Sequence, residues 1–187
     1  MKILIATNNK DKYNTISQML FKIFPNEIEV EYLNKYIEFK EVEEVGTNIE
    51  RAKGKALNAK NQIKDNYDII LGIDDGIIID NKEYAAVKEH LFDIVIGDKV
   101  KIKDKIYITR AYYLIAKEKE NYCYNKIPYI LQKKLNSYDN VGYPLNSVIS
   151  TIEDDKVLTE HSKEELNEYF LKYSKKDLQK LFKDYIN

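Results

Sequence analysis

Strand and helix patterns alternate from the first residues onward, and this alternation limits the possible folds more than any other feature of the chain. The run "KILIA" (residues 2–6) is short, apolar and typical of a buried strand. After a polar turn, apolar residues recur at three- and four-residue spacing as far as Pro25, which predicts an amphipathic helix. The alternating run "EIEVEYL" predicts a second strand. Because strand and helix patterns interleave along the chain, we expect an α/β fold.

Capping-box spacing marks two further helix starts. Thr47 and Glu50 have this spacing and precede a stripe of apolar residues at helical intervals: Ile49, Ala52, Ala56, Ala59 and Ile63. Ser162 and Glu165 repeat the spacing before the C-terminal apolar stripe. The segment "SKKD" (174–177) repeats it once more, which predicts an additional helix start there.

Three segments in the middle of the chain read as strands. In "YDIILGIDDGIIID" (67–80), two β-branched runs flank Asp74-Asp75-Gly76, and Asp-Gly between strands predicts a hairpin turn. The run "KIYITRAYYLIAK" (105–117) predicts a long strand. The next segment, 120–129, either pairs beside that strand or turns, and residues 140–149 read as loop and strand.

Composition and charge restrict the class of protein. A chain of 187 residues with 44 % hydrophobic and 33 % charged residues fits one soluble globular domain spanning 1–187. The 30 basic and 31 acidic residues nearly cancel, so we expect neither a nucleic-acid nor a membrane partner. Cys123 is the single cysteine, and no apolar run is long enough for a signal peptide or a membrane span. We therefore expect a cytoplasmic protein.

The polar turn after the first strand is a candidate anion site. It reads "TNNKDK" (7–12), and the helix that follows offers its first backbone N–H groups and the positive end of its dipole. The Asn9 amide could donate a hydrogen bond to a phosphate oxygen, and Lys12 would add a full charge. The alternative is an Asn-rich helix cap with solvated lysines.

Acidic residues supply a second set of candidates. Asp74 and Asp75 could bind Mg²⁺ or deprotonate a water, or they could serve only the geometry of a turn. Glu44 precedes the helix that carries Lys53 and Lys55, and each of these three could equally be a solvated surface charge. The two histidines, at positions 90 and 161, have no Cys or His at ligand spacing, so a zinc site is not indicated.

The order of these pieces resembles the inosine triphosphate pyrophosphatase family, the HAM1-like pyrophosphatases of non-standard purine nucleoside triphosphates. That family begins with a strand and T-x-N-x-x-K, here residues 7–12. It continues with E-x-G and T-x-x-E-N-A-x-x-K-A, here 44–46 and "TNIERAKGKA" (47–56), in which Arg51 replaces the family's Asn. Its D-D-S-G-L segment resembles "DDGI" (74–77), and R-x-A-x-F resembles "RAYYLIAK".

The second half of the chain departs from the family pattern. The G-[FY]-D-P loop has become "VGYPLN", which keeps Gly142 and Tyr143 and lacks the Asp. The A-E-L-x-x-E-E-K segment resembles "TEHSKEEL", with Leu166 at the lysine position. "NEYFLK" stands where the family has a Ser-His-Arg signature. In the family these residues surround the purine base, so the base recognised by this chain stays open.

The resemblance implies an ITPase-like fold: a long, mixed, twisted sheet flanked by helices in two lobes, with a central cleft, in a homodimer. It implies Mg²⁺-dependent hydrolysis of a nucleoside triphosphate, including purines such as ITP or XTP, to the monophosphate and pyrophosphate. Asp75, Lys12 and Lys55 would be catalytic, with Asp75 deprotonating the attacking water. The implied metal ligands are Glu44, Asp74 and Asp75. The implied substrate-binding residues are Thr7, Asn8, Asn9, Lys12, Lys53, Lys55, Gly142 and Tyr143, with Lys53 the substitute for Lys55 if the register is one residue out.

A rival function comes from another class. The lost base contacts are also compatible with a weak or inactive paralogue that binds or senses nucleotides. The retained carboxylates favour catalysis, because a binding module has no need of a group that deprotonates water.

Overall fold

The computed structural model describes residues 1–41, 43, 45–85, 87–117, 119–137 and 144–186. The helices are α1 (Lys10–Ile23), α2 (Asn48–Gln62), α3 (Leu91–Val95) and α4 (Lys163–Phe182). The strands are β1 (Lys2–Ala6), β2 (Glu29–Tyr32), β3 (Ile69–Ile79), β4 (Lys82–Tyr84), β5 (Lys105–Ala116), β6 (Lys119–Leu131) and β7 (Ile149–Ser150). Strands and helices thus interleave as the sequence predicted.

The strands of the described residues form one mixed sheet. Its strand order is β2-β1-β3-β5-β6-β7, and β4 pairs with β3 outside this path. Strand β1 runs parallel to both β2 and β3, whereas β3 with β4 and β6 with β7 are antiparallel. Segment 120–129, for which the sequence left two alternatives open, belongs to strand β6.

The chain divides into two compact units. The first comprises Met1–Asp74, Arg110–Asn125 and Ser174–Asn187, and the second comprises Asp75–Thr109 and Lys126–Tyr173. Each has its own apolar core. That of the first includes Leu4, Ala52, Ala56, Ile70 and Ala111, and that of the second includes Ile77, Ile94, Ile127, Leu131 and Tyr169. The division leaves the single domain spanning 1–187 a prediction.

In the first unit, helix α2 lies unusually close to strand β3. A Cβ atom on Gly72 would lie 2.0 Å from the carbonyl oxygen of Ala52 and 2.9 Å from the backbone nitrogen of Ala56. Only glycine leaves room for this approach. Two alanines on the buried stripe of α2 therefore lie against β3, and the side chains that flank them come within reach of the residues that follow Gly72.

Two helix starts were predicted correctly from capping-box spacing. Thr47 and Glu50 form a reciprocal capping box at the start of α2. At the start of α4, the Ser162 backbone N–H donates to Glu165 Oε2 (2.7 Å), and the Glu165 N–H donates to Ser162 Oγ (3.2 Å). In both places a side chain satisfies an otherwise unpaired backbone donor, so the local sequence is enough to fix the start.

Two local predictions were wrong. Asp74-Asp75-Gly76 forms no hairpin, because β3 continues without interruption from Ile69 to Ile79, and the chain turns at Asp80 and Asn81, both with positive φ. The segment 174–177 starts no helix, because α4 is continuous and Ser174 is fully buried within it. In both places long-range burial of flanking apolar residues outweighed a local turn or cap signal.

Candidate anion-binding site

The register of the sheet brings the turn after β1 and Asp74 of β3 to the same side of the paired position. Strands β1 and β3 are parallel, with Ala6 beside Gly72. Thr7 follows Ala6, and Asp74 lies two residues beyond Gly72. Since parallel strands run in the same direction, the turn after β1 and the second half of β3 both continue in that direction from the Ala6–Gly72 pair. The turn and Asp74 are thereby neighbours in the first unit.

The turn itself is shaped by its own side chains. Asn9 is the N-cap of α1, and its Oδ1 accepts a hydrogen bond from the Lys12 backbone N–H (2.9 Å). Thr7 is buried, and its Oγ1 accepts from the Asn9 backbone N–H (3.3 Å). Asn8 donates from Nδ2 to Glu41 (2.6 Å), and its carbonyl accepts from the Tyr32 hydroxyl (2.6 Å). Asn9 therefore caps the helix through its side-chain oxygen Oδ1, as the alternative reading predicted. The cap does not use the side-chain amide nitrogen, which is a hydrogen-bond donor.

Asp74 is a buried carboxylate held by two cations. It is 3 % exposed. Its Oδ2 accepts a hydrogen bond from Arg51 Nε at 2.9 Å, and its Oδ1 accepts one from Lys55 Nζ at 2.5 Å. Lys55 Nζ also lies 3.4 Å from the carbonyl oxygen of Ile73. A buried carboxylate needs such partners, because its charge is otherwise expensive to remove from water.

Lys12 contributes to the same electrostatic environment. Burial raises the pKa of the Asp74 carboxyl, and the charges of Lys55, Lys12 and Arg51 oppose this rise. Lys12 is therefore close enough for its charge to act on Asp74. We call these four residues the Asp74 cluster: Lys12, Arg51, Lys55 and Asp74. Three cations thus act on one buried carboxylate, in a chain whose net charge is −1.

Arg51 was missing from the predicted site. The signal that could have identified it is its spacing, because Arg51 lies four residues before Lys55 and each directly precedes a buried alanine, Ala52 and Ala56 respectively. Residues four apart share one face of a helix. A cation at this position should therefore be near whatever Lys55 contacts.

Lys53 lies elsewhere in the first unit. Its ammonium group is 3.1 Å from Glu120 Oε2 and 5.3 Å from the centroid of the Tyr113 ring. The hydrogen bond with Tyr113 and the ion pair with Glu120 raise its pKa. Of the two lysines on α2 that the sequence left as candidates, the structure brings Lys55 and not Lys53 to Asp74.

The remaining predicted site residues are described only in part. Asp75 is half-buried in β3, and since successive strand residues point to alternate faces, the contacts of Asp74 cannot be transferred to it. Glu44, Gly142 and Tyr143 lie outside the described residues. Within the described part of the chain, no three His, Cys, Asp or Glu side chains come together as a metal-binding group.

The second unit contains a surface pocket of different character. Its volume is about 770 Å³, and none of its described lining residues is a predicted site residue. We call it the acidic pocket, since five of the ten described residues that line it are carboxylates: Glu153, Asp154, Glu164, Glu165 and Glu168. The others include His161, whose Nε2 is 3.3 Å from Asp154 Oδ1, and Lys172, which pairs with Glu153 at 2.5 Å.

Comparison with known proteins identifies the fold. Neither a protein-family model nor a curated protein matches the sequence. Among solved structures, the chain is similar to a HAM1 protein from Coxiella burnetii, with a TM-score of 0.70 and 14 % identity over 98 % of this chain and 99 % of that one. It is also similar to the Staphylococcus aureus Ham1 protein, with a TM-score of 0.57 and 20 % identity over 88 % of each chain.

A third similar structure is a nucleoside-triphosphatase / dITP/XTP pyrophosphatase from Mycobacterium abscessus, with a TM-score of 0.57 and 19 % identity over 92 % of this chain and 94 % of that one.

None of the helices in the described residues is both long and apolar enough to cross a bilayer.

The coverage of nearly whole chains on both sides, in all three comparisons, confirms the resemblance at the level of architecture. The chain has the ITPase-like, HAM1-like α/β fold that its sequence predicted.

Proposed function

We propose that this protein is a nucleoside triphosphate pyrophosphatase that hydrolyses an NTP or dNTP to the monophosphate and pyrophosphate. The observation that carries the proposal is the Asp74 cluster: three cations gathered around one buried carboxylate, beside the first helix of a HAM1-like fold. A triphosphate carries about four negative charges, and several cations beside a helix N-terminus suit such an anion.

The phosphate-binding roles fall to the first unit. Lys12 and Lys55 would offset the charge of the phosphates, and the Asn9 amide with the first N–H groups of α1 would orient the oxygens. Thr7 and Asn8 would act by fixing the turn through the hydrogen bonds they already make. Lys53 is left out of this assignment because it pairs with Glu120.

The hydrolytic step requires a base, and we assign it to Asp75. A water attacks the α-phosphorus, its proton passes to the Asp75 carboxylate, and the bond from the α-phosphorus to the bridging oxygen breaks as pyrophosphate leaves. Positive charge from Lys12 and Lys55 stabilises the negative charge that develops on the phosphate oxygens.

Mg²⁺ fits the donor set as an ion that arrives with the substrate. Magnesium in nucleotide enzymes is held by one or two carboxylates together with substrate phosphates, and it needs no cage of three protein ligands. Glu44 and Asp75 are the carboxylates that would hold it. Asp74 could join them by sharing its oxygens, each of which already pairs with a cation, Arg51 on Oδ2 and Lys55 on Oδ1. When bound, the ion would neutralise phosphate charge.

The base specificity is part of the proposal. The Mycobacterium abscessus protein is described as a dITP/XTP pyrophosphatase, and ITP and XTP are accordingly the first substrates to test here. The sequence lacks the family's base-reading Asp, Lys and Ser-His-Arg residues, so we expect a broader or different base preference. Gly142 and Tyr143 are the proposed base contacts that remain.

Pyrophosphate release tests the function directly. Standard and deaminated nucleoside triphosphates are supplied with Mg²⁺, and released pyrophosphate is measured for the wild type and for Asp75→Asn. We expect the substitution to reduce turnover by about 10²-fold or more, because loss of a general base has that size of effect. Omission of Mg²⁺ should abolish turnover.

The proposed homodimer is tested separately, by light scattering in the same buffer.

The rival function is a nucleotide-binding or sensing module with weak or no turnover. The ion pairs of Asp74 with Arg51 and Lys55 favour it, because they already neutralise one of the carboxylates that a metal-dependent hydrolase would use. A wild-type protein that binds triphosphates yet releases no more pyrophosphate than Asp75→Asn would establish this function in place of hydrolysis.

A further inference from the structure

Arg51 and Lys55 pair with the same carboxylate. Their side chains leave α2 on one face, and each donates to a different oxygen of Asp74, at 2.9 Å for Arg51 and 2.5 Å for Lys55. All three side chains are largely buried, with exposed fractions of 16 %, 19 % and 5 % for Arg51, Lys55 and Asp74. One cation would be enough to balance one carboxylate, so the second one needs a reason.

The reason follows from what Lys55 must do in the proposed function. To contact a phosphate, its ammonium group has to leave Asp74 or share it. In a buried site, withdrawing the only partner of a carboxylate is strongly unfavourable, because the remaining charge is neither hydrated nor paired. If Lys55 were the only partner of Asp74, the carboxylate would retain Lys55 and prevent it from contacting the substrate.

We propose that Arg51 is a positioning residue that keeps Asp74 neutralised and so lets Lys55 exchange Asp74 for the polyphosphate. This inference rests on the proposed polyphosphate-binding role of Lys55. Arginine suits the task because it stays charged at any physiological pH and its planar guanidinium has several donors for a carboxylate. An asparagine, which the family has at this position, has no charge with which to do so.

Charge counting makes the proposal testable with a matched variant. The Asp74 cluster has three cations and one carboxylate, a balance of two positive charges. Replacing Arg51 alone leaves one positive charge and ties Lys55 to Asp74. Replacing Arg51 and Asp74 together restores the balance of two and removes the group that holds Lys55.

The experiment measures binding of inorganic tripolyphosphate with Mg²⁺ by calorimetry, so that neither base recognition nor turnover contributes. We expect Arg51→Gln to weaken binding about tenfold or more, and Arg51→Lys to stay within about threefold of wild type because the charge is kept. Adding Asp74→Asn to Arg51→Gln should return the affinity to near the wild-type value. A purely structural role for Arg51 predicts no such recovery.

The outcomes separate this inference from the proposed function. Unchanged binding by Arg51→Gln, or no recovery in the double variant, overturns the inference even if the wild type releases pyrophosphate from nucleotides. Absence of pyrophosphate release with the expected binding pattern overturns the enzymatic function and leaves the role of Arg51 in place. A wild type that does not bind tripolyphosphate overturns both. If Arg51→Gln does not fold by circular dichroism, the double variant decides alone, and binding clearly weaker than wild type overturns the inference.

Discussion

The Asp74 cluster and the acidic pocket are both rich in charge, yet they use it in opposite ways. In the cluster, a single carboxylate is buried and three cations act on it. In the pocket, carboxylates outnumber cations, and most of them are open to water, such as Asp154 at 41 % and Glu165 at 63 % exposed. Burial, more than the number of charges, decides whether a group must be paired.

Individual residues of the acidic pocket show what exposed acids do instead. Glu165 caps α4 by accepting a hydrogen bond from the Ser162 backbone, and this bond lowers its pKa. Glu153 pairs with Lys172 on the surface, where both side chains are exposed by about half. These are local structural roles, so the comparison predicts large effects in the Asp74 cluster and small ones in the pocket.

The largest expected difference is in stability. Arg51→Gln should lower the free energy of unfolding by about 3 kcal/mol, because it removes one of the two cations paired with the buried Asp74 carboxylate. Glu153→Gln removes an exposed ion pair and should cost about 0–1 kcal/mol. Urea titration followed by circular dichroism measures both, and equal costs would contradict the distinction between buried and exposed pairs.

The next effect concerns the two lysines of α2. Lys55→Gln should weaken the binding of a Mg²⁺-bound nucleoside triphosphate roughly 10- to 100-fold, the usual range for loss of one hydrogen bond to a charged group. Lys53→Gln should change it by less than about twofold, because Lys53 pairs with Glu120. Isothermal calorimetry on the two matched variants decides, and the reverse order would transfer the phosphate role to Lys53.

The pH dependence of stability should have opposite signs in the two regions. The pKa of Asp74 is raised by burial, so the folded state binds its proton more tightly than the unfolded state does. Its contribution is therefore most favourable below the unfolded pKa of about 4 and declines as the pH rises through the folded pKa. The pKa of Glu165 is lowered by its hydrogen bond with the Ser162 backbone, so its contribution is present above about 4.3 and is lost as the pH falls through the folded pKa.

Unfolding curves at several pH values test these signs. The free energy of unfolding of the wild type, relative to that of Asp74→Asn, should fall as the pH rises from about 4. The difference between wild type and Glu165→Gln should shrink as the pH falls below about 4.3. Slopes of the same sign would show that the two carboxylates do not differ in the way their surroundings indicate.

The smallest effect is expected from the exposed acids of the pocket. Glu164→Gln and Glu168→Gln should each alter tripolyphosphate affinity by less than about twofold, because water and salt screen charges at exposed positions. A marked gain in affinity would mean that these acids repel the bound anion. The acidic pocket would then have to be included in the binding site.

The site was predictable where its residues were fixed by local signals. Asn9 follows the first strand and caps α1, and Thr47 with Glu50 starts α2, so the sequence located both cap positions correctly. The Asp-Asp-Gly segment was misread because a turn signal is local, whereas continuation of β3 depends on pairing and burial supplied by distant strands. Arg51 was noted only as a departure from a pattern. Its four-residue spacing from Lys55 places both on one face of α2, but only the packing of that face shows that both contact Asp74.

The sequence by itself determined that strands and helices alternate, where α2 and α4 start, and the buried alanine stripe of α2, because backbone caps and apolar periodicity act over a few residues. The tertiary structure decided which cation meets which carboxylate. Each residue advances a helix by about 100°, so Lys53, directly after Ala52, and Lys55, directly before Ala56, flank opposite sides of that stripe. Only the packing of α2 on β3 at Gly72 settles that Asp74 lies on the Lys55 side and Glu120 on the Lys53 side.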